Sequence, residues 1–369
     1  LFKRLMGTST PIRLPVVDLT MTPEECSAEI LRFLFGYLPE EIRNDGSTGT
    51  VITVPAAFNQ MQKDSTMAAA SAANIGKVAL MQEPVAAVMS VMRRRKNDGV
   101  FVVYDLGGGT LDVAVAESTS GRVSLHAHGG IAMCGGRDFD RVLFDNVVKP
   151  WLFDNFELPE NLSGSPQFKS LVRMATWAAE KAKIELSLKE VAVVSLSETD
   201  LGVRDLSGEE IYVDITLDRE RFDQLISPKV EESIGATREI LEKAGLSPHD
   251  VGLIVFVGGP THYKPLRDKV AGELGIAPFT DVNPMMAVAE GAALFAESID
   301  WASQSRGRKS GRGSITAGGS LDVTFNYIAR TPDSRAKIVA KLGGQVVAGP
   351  EFQVDSLDTG WSSVRIALK

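Results

Sequence analysis

Two cysteines in 369 residues, Cys26 and Cys134, are too few for a disulfide framework, and nothing beside either has the spacing of a metal site. A reducing, cytoplasmic compartment is the expectation. Long apolar runs are missing as well. None approaches the roughly 18 residues of a membrane span, and the opening LFKRLMG lacks the apolar core of a signal peptide. Excess positive charge is also absent: 39 Lys and Arg stand against 47 Asp and Glu, for a formal net charge of −8. That balance disfavours a general nucleic-acid binder. Two short basic runs, RRRK at Arg93 to Lys96 and RGRKSGR at Arg306 to Arg312, read as solvated loops. There is no internal repeat of solenoid period.

What remains is 44% hydrophobic and 23% charged, the composition of a soluble globular protein, at a length that allows roughly two domains. Residues 8–24 are rich in Pro and Thr and read as a loop with short strands. They end at TPEE, where Thr22 can cap a helix reaching about Leu38. TVITVPAAF is a buried strand stopped by Pro55, QKDSTMAAASAANIG a helix closed by Gly76, KVALMQEP a strand, and PVAAVMSVMRRRK a helix. From Asp138 to about Leu188 the pattern is helical, broken by LPENLSGSP. Strands follow at VAVVSL and IYVDIT, then a helix from Asp218 to Ala244. VGLIVFVGG is a continuous apolar strand of the kind covered on both faces, and NPMMAVAEGAALFAE is a last helix. Interleaved strands and helices make an α/β fold.

Two glycine turns stand out. VVYDLGGGTLDVAV, residues 102–115, alternates apolar and polar on both sides of Gly107, Gly108 and Gly109, so the glycines form the tip of a hairpin. A dinucleotide fingerprint needs a helix after the turn, and a P-loop needs Lys-Ser/Thr where this chain has Thr110 and Leu111. A hairpin tip without side chains can close its N–H groups on an anion such as a phosphate. Asp105 and Asp112 flank it with the hard oxygens that Mg²⁺ prefers, usually through retained water. Taken alone, the turn reads more readily as an ordinary hairpin with two surface aspartates. The second turn, LIVFVGGPTHYKPL, sets Gly258 and Gly259 between a buried strand and a helix, either for close packing or to offer a helix N-terminus to an anion.

Taken together, these segments resemble the 70-kDa heat-shock chaperone family, DnaK-like proteins with an actin-like (ribonuclease H-like), two-lobed ATPase domain. The resemblance runs over residues 3–299. It rests on VYDLGGGTLDVAV, VFVGGPTHYKPL, VITVPAAFNQMQK, MQEPVAAV, GGRDFD, AAEKAKIELS and NPMMAVAEGAA in the family's order. It implies binding and hydrolysis of ATP with Mg²⁺, unfolded-polypeptide clients, a J-domain co-chaperone and a nucleotide-exchange factor. By the same resemblance Lys3, in FKRLMG, is the catalytic lysine, and Glu83, Asp105 and Thr110 are catalytic with it. A lysine there can hold the attacking water and offset charge developing on the phosphoryl oxygens. Asp105 and Asp112 hold hydrated Mg²⁺. Gly107, Gly108, Gly109 and Thr110 wrap the phosphates, and Gly135 and Gly136 belong to the nucleotide site. Glu180, Lys183 and Ser187, which share a helix face, contact ribose and adenine. Gly258, Gly259 and His262 lie against the adenosine, and Pro55 and Lys63 relay nucleotide state to a neighbouring domain.

The sequence also departs from the family. Pro260 and His262 replace a serine and an arginine, Arg137 a glutamate, Met285 and Met286 an acidic pair, and Lys63 an arginine. These changes bear on nucleotide affinity and relay. The family's first phosphate loop is expected before Lys3, so the chain reads as N-terminally incomplete and, at this extent, inactive. The expected division is an ATPase domain over residues 1–300, a Gly/Ser/Arg-rich linker over 301–320 and the start of a β-rich, substrate-binding domain over 321–369. Only LDV at Leu321 to Val323 resembles the family's Leu-rich linker. Three other readings stay open: a nucleotide-holding co-chaperone or scaffold without hydrolysis, a metabolite kinase and an actin-like filament protein.

Overall fold

The computed structural model describes residues 2–14, 18–45, 49–95, 98–119, 121–299 and 301, and beyond them the backbone of five short strands. The chain forms two compact units, Leu1–Leu38 with Thr50–Ser298, and Pro39–Gly49 with Ile299–Lys369. Lys96, Arg306 to Arg312, Leu321 and most of the linker expected over 301–320 lie outside the described residues.

A 3-10 turn, Phe2–Leu5, precedes a hairpin of β1 (Ile12–Leu14) and β2 (Leu19–Met21). Thr22 then caps α1 (Pro23–Gly36): its hydroxyl accepts from the Glu25 N–H, and the Glu25 carboxylate accepts from the Thr22 N–H. Two otherwise orphaned donors are satisfied at once, and the helix starts where TPEE predicts. A single turn, α2 (Glu40–Arg43), belongs to the second unit. β3 (Gly49–Val54) bonds to β4 (Lys77–Gln82), with α3 (Gln60–Ala72) between them in sequence. Gly76 does not close α3. Asn74 takes the left-handed conformation, φ 56°, and the N–H groups of Asn74 and Ile75 cap carbonyls of the last turn. Asparagine tolerates that region, so the helix ends at Ala72, four residues before the glycine.

α4 (Glu83–Arg94) leads to the central sheet. Its strands β5 (Gly99–Leu106), β6 (Thr110–Thr119) and β7 (Arg122–Ala132) form an antiparallel meander with Asp105 opposite Asp112. α5 (Gly136–Leu143) continues through a π-helical turn, Phe144–Val148, into α6 (Lys149–Asn155), and α7 (Lys169–Leu186) follows. β8 (Val191–Leu196) pairs with β9 (Val213–Asp218), and the single turn α8 (Glu198–Leu201) lies between them in sequence. β9 begins two residues later than IYVDIT suggests, because the Ile211 N–H bonds to Val203 outside the ladder. Asp218 caps α9 (Arg219–Lys243). β10 (Leu253–Val257), α10 (Lys264–Leu274), β11 (Pro278–Phe279) and α11 (Ala287–Ser298) complete the unit.

The sheet order is β11-β10-β5-β6-β7, with β10 parallel to both β5 and β11. Alternation in β5 sends Val102, Tyr104 and Leu106 into one core and Phe101 and Val103 into another, so both faces are covered. Ala87, Val88 and Val91 of α4 and Ala287 of α11 belong to the second core. In the first, the Tyr104 hydroxyl donates to Ser233 of α9 over 2.6 Å.

The second unit contributes β12 (Ser314–Thr316), β13 (Asp322–Tyr327) and β14 (Ile338–Gly343) as one antiparallel sheet, and β15 (Glu351–Phe352) paired with β16 (Ile366–Ala367). Three residues assigned by sequence to the linker are therefore a strand, in keeping with the β-branched Ile315 and Thr316. Among the described residues no helix is long and apolar enough to cross a membrane, and Cys26 and Cys134 are buried free thiols.

Candidate functional site

The Gly107–Gly109 tip is held by backbone on its flank. Gly136 N–H donates to the Gly107 carbonyl, Arg137 N–H to that of Gly108, and Met133 N–H to that of Gly109, at 3.0, 2.8 and 3.1 Å. Gly107 N–H closes the turn on Thr110 O. Among the described residues the N–H groups of Gly108 and Gly109 donate to nothing. Two unpaired amides at a side-chain-free tip are the start of an anion cradle. The packing explains why glycine is required: a Cβ on Gly135 would lie 2.5 Å from Gly109 N. Gly258, at φ 93°, would bring a Cβ within 2.1 Å of the Leu106 carbonyl.

Beside this tip opens a cavity of about 650 Å³. Its lining includes Gly108 and Gly136, Glu180 and Lys183 of α7 with the helix's C-cap Ser187, and Gly259, Pro260, His262 and Met285. Glu180, Lys183 and Ser187 therefore face one space, as their three- and four-residue spacing predicts. Lys183 is not free there: its ammonium lies 2.5 Å from Asp140 Oδ1 in a charge-pair geometry and donates to Gly136 O over 3.0 Å. Burial raises the Asp140 pKa, and Lys183 opposes that rise. A 3-10 turn, Gly259–His262, intervenes before α10, so the second glycine turn does not open directly into a helix. Gly258 is tucked under Leu106 and takes no part in the cavity wall, while Gly259 does. Met286 also lies off the wall.

A smaller cleft of about 20 Å³ gathers Glu83, Asp105, Asp112 and His128. Lys3 Nζ donates to Glu83 Oε1 over 2.9 Å. Thr110 Oγ1 donates to Asp112 Oδ2 over 3.2 Å. Burial, then Glu83 and Asp112, push Asp105 up to about 7, with Lys3 opposing. Asp112 is raised by burial and eased by Thr110, Lys3 and His128. Crowded carboxylates that hold their charge this poorly form the donor set a hard cation would relieve. Among the described residues no group of three His, Cys, Asp or Glu converges closely enough to ligate a metal directly.

Pro55 follows β3 and Lys63 lies in the first turn of α3; neither lines the cavity or the cleft. Three neighbours had no signal in the sequence. Arg4 Nη2 donates to Gly109 O over 2.6 Å, Asp140 holds Lys183, and His128 edges the acidic cleft. Each depends on contacts between residues far apart in the chain.

A family profile described as Hsp70 protein matches residues 3–304. The chain belongs to the Hsp70 family, ATP-binding chaperones with an actin-like two-lobed ATPase fold.

Proposed function

We propose that this protein binds ATP and ADP in the 650 Å³ cavity and hydrolyses ATP to control the binding of unfolded polypeptide. The observation that carries this reading is the glycine tip, whose Gly108 and Gly109 amides are unpaired among the described residues and whose Gly108 lines that cavity. Phosphates would meet Gly108 and Gly109, the ribose and base Glu180, Ser187, Gly259 and His262. Lys183 would act largely through its pair with Asp140.

Asp105 and Asp112 would hold hydrated Mg²⁺, which supplies positive charge at the phosphoryl oxygens when bound. Lys3, kept near the cleft by Glu83, is suited to orient water and stabilise developing charge. Thr110 holds the Asp112 carboxylate in place. Pro55 and Lys63 would carry nucleotide state outward, and the β-rich 321–369 segment, behind a linker within 301–320, would begin the client-binding domain. A J-domain co-chaperone and a nucleotide-exchange factor would complete the cycle. The two free thiols suit a cytoplasmic setting.

Single-turnover hydrolysis of ATP with Mg²⁺, by the full-length parent protein, tests the reading. Release of phosphate, accelerated by an unfolded peptide, supports the chaperone cycle. ATP binding without release would leave a nucleotide-holding scaffold.

A further inference from the structure

We infer that Arg137 supplies a cation to the phosphate chain of the bound nucleotide, making it a specificity-determining residue of this site. The inference rests on the cavity being a nucleotide site. Arg137 is bolted to the glycine hairpin through its own backbone, N–H to Gly108 O at 2.8 Å, and it lines the same cavity. Among the described residues its guanidinium makes no ion pair and no hydrogen bond.

The other cations near the tip are committed. Lys183 is held by Asp140 and Gly136 O, Arg4 by Gly109 O, and Lys3 by Glu83. The charge of Arg137 acts on its neighbour Asp140, lowering the carboxyl's pKa after burial, Lys183 and Glu180 have had their larger effects. Glu180, also lining the cavity, is an acceptor suited to sugar hydroxyls and repels phosphate. A ligand with a neutral, hydroxylated half and an anionic half is thereby oriented, with the anion toward Gly108 and Arg137. Guanidinium is the group best shaped for phosphate, through paired N–H donors.

Calorimetric titration of the full chain with ADP and with adenosine, at low and at moderate salt, tests this. Arg137→Gln should weaken ADP about ten-fold at low salt, the step that 1.4 kcal/mol represents, and leave adenosine within about two-fold. Arg137→Glu should weaken ADP further, and Arg137→Lys should recover part of the loss. The wild-type advantage should shrink as salt rises. Equal ADP affinity in wild type and Arg137→Gln, or a parallel loss of ADP and adenosine, overturns the role of Arg137 alone. Wild type that binds neither ligand overturns the nucleotide reading together with it. Matching melting curves guard against a folding defect.

Discussion

Lys3 Nζ and Glu83 Oε1 meet at 2.9 Å, joining the first turn of the chain to the first residue of α4 across 80 positions. The lysine side chain is 60% exposed and the glutamate 16%. So exposed a pair contributes at most about 1 kcal/mol to stability. Lys3→Ala should leave the melting temperature nearly unchanged and still bind ATP, while single-turnover hydrolysis falls by about 10²-fold or more. Hydrolysis at the wild-type rate would remove Lys3 from the chemistry.

Asp105 is the second test. Its pKa rises from 3.8 to about 7, chiefly through burial, so the folded protein holds more protons than the unfolded chain between those values. Stability therefore falls as pH rises from about 4 to 7. Asp105→Asn should stabilise the nucleotide-free protein at pH 8 in chelator, on the order of 3 kcal/mol, and the gain should vanish below pH 4. The same variant should lose Mg²⁺-dependent hydrolysis. Denaturant unfolding at both pH values, beside a phosphate-release assay, checks the trade.

Gly258 and Gly259 should behave differently despite being adjacent. Gly258→Ala meets both a positive φ and the Leu106 carbonyl, and should cost roughly 3 kcal/mol or more. Gly259→Ala meets only Met285 Sδ at 3.6 Å, an ordinary contact, and should fold normally. Thermal melts of the two variants suffice. Equal stability would contradict the packing of the second glycine turn under the first.

At the end of α3 the expectation is reversed for two residues close in sequence. Asn74→Ala places alanine at φ 56° and should cost about 1 kcal/mol. Gly76→Ala sits in ordinary backbone with open space for its Cβ, and should gain about 0.4 to 1 kcal/mol.

The Lys183 and Asp140 pair is buried, 12% and 5% exposed. Lys183→Met strands a buried carboxylate and should cost about 3 to 5 kcal/mol; adding Asp140→Asn should restore much of it. Urea midpoints of the single and double variants decide whether Lys183 acts chiefly on Asp140 or on the ligand.

Local chemistry made much of this protein legible in its sequence. Alternating apolar residues around Gly107–Gly109 fixed the hairpin, because strand periodicity and the turn need no distant partner. TPEE fixed the start of α1, and the spacing of Glu180, Lys183 and Ser187 put them on one helix face. Tertiary structure decided what those faces meet. Asn74 closes α3 ahead of Gly76, residues 314–316 join a strand ladder, and Gly258 is buried under Leu106 because of neighbours that local pattern does not encode. Only the folded chain spends Lys183 on Asp140, draws Arg4 onto Gly109 and Lys3 onto Glu83, and, among the described residues, leaves the Arg137 guanidinium uncommitted beside Gly108. A side chain's charge is written in the sequence, but the charge left over for a ligand is what remains after long-range pairing.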